Sequence, residues 1–275
     1  MVIFYAVAAT LVTGLSFLGY SYAEARSDPV VRETRVALPD WPRQAAPVRL
    51  VLVSDLHIGS PAMDATRLTS IVGQINALHP DLVLLAGDYI YNHRPHSAAR
   101  IGAAMVAPLA QLHAPLGTIA VLGNHDWMTG ADAVRSQLAE ANIRVLENSA
   151  IQLGPLALGG IGDQRTGHAD VATTLAAMHM LPGAPVLLTH SPDIAPELPI
   201  DMPLLLAGHT HCGQIVLPLY GPLASVTRFG ERYRCGLRRE GMRTVIVTAG
   251  LGASGAPLRF GAPPDLWLIT LAPTG

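Results

Sequence analysis

The spacing of apolar and polar positions changes character twice along the chain. Residues 1–23, MVIFYAVAATLVTGLSFLGYSYA, carry no charged side chain. As a helix they would extend about 34 Å, enough for a hydrocarbon core of about 30 Å. Residues 24–47 mix charges of both signs with Pro29, Pro39, Pro42 and Pro47, and read as an extended tether. From residue 48 onward, short apolar runs alternate with stretches of helical period. Residues 49–53 and 82–86 have the pattern of buried strands. Between them, Leu68, Ile71, Val72, Ile75 and Leu78 fall on one face of a helix predicted over 64–78, which His79-Pro80-Asp81 ends. The pattern continues with a helix over 97–112 broken at Pro108, a strand at 118–122 and a helix over 131–141. Short strands at 143–146 and 156–161, a helix over 170–180 and strands at 186–189 and 204–207 follow. The last strands fall near 214–217, 243–248 and 266–271. Strands alternating with helices predict an α/β fold.

Five of these strands end in polar residues: Asp55-Leu56-His57, Asp88, Asn124-His125-Asp126, His190 and His209-Thr210-His211. In open α/β sheets, ligands bind beyond the carboxyl ends of the strands, so five such ends could converge. Asp55, His57, Asp88, Asn124, His190, His209 and His211 form a nitrogen and oxygen donor set without thiolate. Such a set suits Mn, Fe or Zn. Seven donors exceed the needs of one tetrahedral zinc. They suit two divalent ions sharing a carboxylate, about 3.5–4 Å apart, the clamp used for phosphoryl displacement. In Asn124-His125-Asp126 the amide oxygen could bind metal while the imidazole stays free as a general acid.

Asp55-x-His57, Gly87-Asp88, Gly123-Asn124-His125-Asp126, His190 and Gly208-His209-x-His211 resemble, in order, the five motifs of the calcineurin-like metallophosphoesterase superfamily. The resemblance implies a four-layer α/β/β/α sandwich over residues 48–275, preceded by the N-terminal hydrophobic helix. It implies that Asp55, His57, Asp88 and His211 bind one ion. Asp88, Asn124, His190 and His209 would bind the other, with Asp88 bridging. His125 would contact phosphate and protonate the leaving oxygen, and Asp126 would orient His125. The N-terminal segment, GHTHCGQI (208–215), SVTRFG (225–230) and GLGASGAPLRF (250–260) are similar to a narrower branch of membrane-tethered bacterial phosphoesterases. That branch includes a UDP-2,3-diacylglucosamine pyrophosphatase of lipid A synthesis. The implied reaction is hydrolysis of a phosphodiester or pyrophosphate, with a lipid-linked nucleotide as one substrate class. A soluble nucleotide or phosphoprotein is the alternative, and a non-catalytic metal-binding scaffold is an alternative of another kind.

Composition narrows this picture. The formal net charge of −2 does not suggest a nucleic-acid partner. All 18 basic residues are Arg, which excludes Schiff-base chemistry and a P-loop. Arg26, Arg32 and Arg35 follow the apolar segment, so the positive-inside tendency predicts a membrane-anchored domain facing the cytoplasm. Ser21-Tyr22-Ala23 leaves cleavage and export as the alternative, although a basic stretch before the apolar core is missing. Cys212 and Cys235 are expected as unpaired thiols, one disulfide being the alternative. Cys212 next to His211 could serve as a nucleophile, but adjacent residues of an extended segment face opposite ways, which favours a packing role. By the same step, His209 and His211 share a side.

The basic stretch from Arg228 to Arg243 reads as a solvated hairpin, or as a contact for diphosphate or anionic headgroups. Gly159-Gly160-Ile161-Gly162-Asp163 reads as a turn near the site. Tyr89, Asn92 and His93 follow Asp88 closely enough to line its mouth. No motif supports His79, His93, His96, His113, His168 or His179, which read as surface or helix-end residues.

Overall fold

The computed structural model describes residues 1–274. The chain opens with α1 (Val2–Ala25) and β1 (Val30–Leu38), followed by β2 (Val48–Val53), α2 (Ala65–Ala77), β3 (Leu82–Ala86), α3 (Ala98–Ile101) and α4 (Ala103–Leu109). Next come β4 (Thr118–Val121), α5 (Asn124–Thr129), α6 (Ala131–Glu140) and β5 (Arg144–Val145). The second half comprises β6 (Ser149–Leu153), β7 (Leu156–Gly160), α7 (Val171–His179), β8 (Ala184–Leu188), β9 (Leu204–Ala207), β10 (Val216–Leu217), β11 (Gly221–Pro222), β12 (Gly236–Glu240), β13 (Arg243–Val247) and β14 (Asp265–Pro273).

Two six-stranded sheets run in the orders β1-β14-β2-β3-β4-β5 and β12-β13-β9-β8-β7-β6. Strand pleating sorts the side chains between layers. In β2, Leu50 and Leu52 face the second sheet and pack with Leu84, Ile119, Leu188, Leu206 and Ile246. Val51 and Val53 alternate to the other face, against Leu68, Ile71, Val72 and Ile75 of α2 and Leu138 of α6. The outer face of the second sheet is covered by Met178 of α7 and by Ile194, Ala195 and Tyr233. This is the expected α/β/β/α sandwich. Burying one Leu or Ile contributes about 1.5–3 kcal/mol, so the doubly covered central strands carry much of the packing energy. Strands β2, β3 and β4 are parallel to one another, as are β8 and β9. Their carboxyl ends therefore present neighbouring loops at one edge.

The tether expected over 24–47 is corrected in part. Helix α1 continues to Ala25, and β1 pairs in parallel with β14 from Val30↔Asp265 to Leu38↔Pro273. Arg32 forms a 2.6 Å ion pair with the buried Asp265. The charges that made this stretch look like a linker belong to an edge strand, where charged side chains blunt unwanted pairing. The expectation of unpaired thiols is also corrected. Cys212 and Cys235 form a disulfide with Cα atoms 4.7 Å apart. Their positions come together because the loop before β12 folds over residues 209–214: Thr210 Oγ1 donates to the Arg234 carbonyl at 2.6 Å, and Arg234 Nη1 donates to the Cys212 carbonyl at 2.8 Å.

Candidate metal centre

Each strand-end loop turns sharply to aim a side chain back across the sheet edge. Asp55, His57, Asp88, His209 and His211 all adopt positive φ, between 46° and 71°. Such conformations cost about 1 kcal/mol or more apiece for residues with a Cβ and persist only where surrounding contacts fix them. The glycines of the motifs permit close approach. A Cβ on Gly87 would lie 2.7 Å from the Gly123 nitrogen and 2.9 Å from His190 Nδ1, and one on Gly208 would lie 2.6 Å from Asp55 Oδ2.

The donors converge in two groups. In the first, Asp55 Oδ1 lies 3.3 Å from His211 Nε2 and 3.8 Å from His57 Nε2, and the two imidazole nitrogens are 3.1 Å apart. In the second, Asp88 Oδ2 lies 3.3 Å from His190 Nε2, which is 3.0 Å from His209 Nδ1. Asp88 Oδ2 is also 3.9 Å from His57 Nε2, so this carboxylate stands between the groups. Asn124, in the first turn of α5, lines the same cavity.

His209 and His211 do not share a side through the alternation of an extended segment, contrary to expectation. Residues 208–213 are not extended: both histidines have positive φ, and His211–Gly213 form a 3-10 turn. Each imidazole thereby reaches a different group. Cys212 is buried against Ala249 and Ala262, and its disulfide removes it as a nucleophile.

The electrostatics favour a cation. Burial pushes His57 and His209 down to about 3, and burial with the neighbouring His57 holds His211 well below the usual imidazole range. These three rings are neutral and offer lone pairs. Burial raises Asp55 to about 6. For Asp88, burial is outweighed by the charge and hydrogen bond of His190, which hold its carboxyl well below the usual range. Conversely, Asp88 overcomes the burial of His190 and raises it to about 10. The buried Asp55 Oδ1 and Asn124 Oδ1 have no hydrogen-bond partner among the described residues. Buried acceptors without partners are costly, and divalent cations would satisfy them together with the converging imidazoles. The groups thus fit two metal ions.

The expected direct contact from Asp126 to the His125 ring is not among the hydrogen bonds of the described residues. Its carboxylate accepts hydrogen bonds from the backbone N–H groups of Asp88 (2.9 Å), Gly123 (2.8 Å) and Tyr89 (2.8 Å). It is a buried strut that ties the loop after β3 to the loop after β4. The Asn92 carbonyl instead lies 2.9 Å from His125 Nδ1, where it accepts the Nδ1 proton. That contact leaves His125 Nε2 free to face the cavity, 3.1 Å from His93 Nε2 and 3.9 Å from Asp88 Oδ2.

The cavity holds about 360 Å³ and is lined by Asp88, His93, Asn124, His125, Met128, Arg165, His209, His211, Val226 and Ser254. His93 is therefore at the mouth, where its closeness to Asp88 in sequence placed it, and is not merely a surface residue. Sequence reasoning passed over Arg165, since an arginine in a polar turn carries no motif. Asp163, in the same turn, is buried and accepts from the Thr166 N–H at 2.8 Å, so it shapes the turn. Arg259 is fully buried behind the site, with Nη2 2.6 Å from the carbonyls of Ala249 and Gly252 and 3.2 Å from His211 Nδ1.

The basic stretch is largely occupied internally. Arg232 and Arg238 pair with Glu240, Arg234 pairs with Glu231, and the buried Arg243 donates to the carbonyls of Ala195 and Leu198. It forms the β12–β13 hairpin, as the solvated-hairpin reading expects.

A family model described as calcineurin-like phosphoesterase matches residues 48–213. The chain is 31% identical over 267 residues to "Uncharacterized metallophosphoesterase YkuE" of Bacillus subtilis (strain 168), covering 93% of this chain and 91% of that one. It is 29% identical over 269 residues to an "Uncharacterized metallophosphoesterase" of Helicobacter pylori (strain ATCC 700392 / 26695), covering 94% of this chain and 69% of that one. It is 30% identical over 273 residues to "Transmembrane protein with metallophosphoesterase domain" of Danio rerio, covering 92% of this chain and 59% of that one. With its sandwich fold and overlapping Asp/His groups that could hold two metal ions, the chain belongs to the calcineurin-like phosphoesterase family and is a phosphoester hydrolase.

Proposed function

We propose that the protein hydrolyses a phosphodiester or pyrophosphate bond of a lipid-linked substrate, at a dinuclear centre held beside a membrane. The observation that supports the dinuclear centre is the pair of donor groups with Asp88 Oδ2 standing 3.3 Å from His190 Nε2 and 3.9 Å from His57 Nε2. Asp55, His57, Asp88 and His211 would hold one ion, and Asp88, Asn124, His190 and His209 the other. The donor chemistry suits Mn, Fe or Zn. Two such ions, when bound, supply Lewis acidity and an activated water for in-line displacement. The chain's own residues do the rest. His125, held by the Asn92 carbonyl, carries its transferable proton on Nε2 at the cavity wall and delivers it to the departing oxygen. Arg165 faces the cavity as an electrostatic partner for a phosphate oxygen.

The membrane part rests on α1. Its segment Phe4–Ala25 is long and apolar enough to cross a bilayer, and nearly all of it is exposed. The name of the Danio rerio relative supports the same reading. For orientation, we favour the non-cytoplasmic face over the cytoplasmic one expected from Arg26, Arg32 and Arg35. Disulfides persist in oxidising compartments, whereas Arg26 and Arg32 are engaged within the folded domain by Asp64 and Asp265. The experiment is a substrate panel after chelation and reloading with Mn²⁺, Fe²⁺ or Zn²⁺. It should include bis-p-nitrophenyl phosphate, a soluble nucleotide, a phosphopeptide and UDP-2,3-diacylglucosamine in mixed micelles. Metal-dependent turnover that favours the lipid-linked compound is expected. Preference for the soluble nucleotide or phosphopeptide would refute the lipid assignment, and no turnover of any diester would refute the reaction.

A further inference from the structure

Outside α1, the longest run of exposed large apolar side chains in one segment lies between residues 219 and 229. Leu219, Tyr220, Leu223, Val226 and Phe229 are all exposed, Leu219 completely, and Val226 lines the cavity together with Met128. Monomeric surfaces seldom keep such a group uncovered without a partner. Three of these residues sit on or beside the hairpin of β10 and β11.

That hairpin is joined to α1. The Val216 N–H donates to the Phe260 carbonyl at 2.7 Å, and Phe260 packs on Phe17 and Tyr20 of α1 with ring centroids 5.0 Å and 5.7 Å away. The Arg259 N–H donates to the Ser21 carbonyl at 2.9 Å, and Tyr22 and Arg26 bond the Pro61 carbonyl in the loop after His57. Helix α1 is therefore seated against segments that flank the metal site. Depth follows from the helix rise. Phe17 lies eight residues before Ala25, about 12 Å along the axis at ~1.5 Å per residue. The domain surface at Phe260, which touches Phe17, therefore reaches the depth at which α1 already lies in the bilayer. A polar surface would be expelled there, and the neighbouring hairpin instead exposes Leu219, Tyr220 and Leu223. Tyr20, Tyr22 and Tyr220 suit the headgroup level.

We propose that residues 216–229 dock into the interfacial layer of the bilayer beside α1, so that the cavity opens onto the headgroup plane and receives phosphoesters presented by lipids. This rests on the reading of the site given under Proposed function. The occupant is the bilayer rather than a second protein, because the patch is continuous with a helix of membrane-spanning length through Phe260.

The test uses the full chain in vesicles of phosphatidylcholine and phosphatidylglycerol. Tyr220→Cys, and separately Ile200→Cys, would carry a bimane label; the native cysteines are occupied in their disulfide. Ile200 is 84% exposed and precedes β9, at the opposite end of the strands from the site. Nitroxide lipids labelled near the headgroup should quench the label at position 220 and leave the one at 200 bright. No quenching at 220, or equal quenching at both, overturns the proposal. So does shielding of position 220 in detergent that depends on protein concentration, which would mark a second copy as the occupant.

A second arm compares Leu219→Asp/Tyr220→Asp/Leu223→Asp with wild type on bis-p-nitrophenyl phosphate and on a vesicle-embedded phosphodiester. A fall of at least about tenfold on the vesicle substrate alone is expected. An equal effect on both substrates overturns the proposal. If wild type hydrolyses only the soluble diester, the lipid-substrate reading fails, while the quenching result still decides the docking.

Discussion

Replacing both cysteines tests whether the disulfide braces the metal-binding loop. The pair closes a loop of 23-residue separation, and Cys212 follows His211 directly. In the chain-entropy description, a loop of that length restrains the unfolded chain by about 11.5 cal/mol/K, or about 3.4 kcal/mol at 25 °C. At about 2.1 cal/mol/K per residue, the unfolding entropy of this chain is about 0.58 kcal/mol/K. The Cys212→Ala/Cys235→Ala variant should therefore melt about 6 °C lower than wild type, measured with chelator present so that metal does not contribute. With metal, the gap should widen, because a freed His211 weakens ion binding by about 10- to 100-fold, as is typical when a ligand loses its support. Differential scanning calorimetry gives the midpoints, and alkylation before and after reduction counts the thiols. Equal midpoints with and without metal, together with two thiols that react without reduction in wild type, would refute the reasoning.

Further outcomes follow from the same geometry. His125→Ala should retain both metal equivalents by elemental analysis and lose about 10²- to 10⁴-fold in kcat; unchanged turnover would remove it as the proton donor. Arg165→Ala should raise KM for a diester while leaving metal content intact, and an unaltered KM would place Arg165 outside substrate contact. Loading metal at pH 7 should release a proton. His190, raised to about 10, holds its proton below that value in the metal-free protein, and a metal ligand must be neutral. An indicator-dye titration with no release would contradict that assignment.

Much of the site was legible because each motif sits where an apolar run stops. The runs around Val51, Leu84, Val121, Leu188 and Leu206 mark central strands, and the next polar residue lies at a sheet edge. What was not legible depends on backbone geometry or on distant pairing. Asp126 was read as a partner of its neighbour His125, yet its carboxylate spans to three backbone N–H groups of two loops. The positive φ of His209 and His211 could not be inferred from an extended reading of Gly-His-Thr-His. Strand β1 was hidden by the charges of Arg32, Glu33 and Arg35, which suit an edge strand as well as a linker. The disulfide joins loops whose proximity only the fold creates, and Arg165 reaches the cavity from a turn without a motif.

The most direct test of the dinuclear centre is the metal content of purified wild type and of Asp88→Asn, reloaded under identical conditions and measured by elemental analysis. Wild type should hold two equivalents. Asp88→Asn, with a neutral amide in place of the carboxylate that stands between the donor groups, should hold one or fewer and lose activity on bis-p-nitrophenyl phosphate. Two full equivalents in the variant would contradict Asp88 as the bridge between the ions.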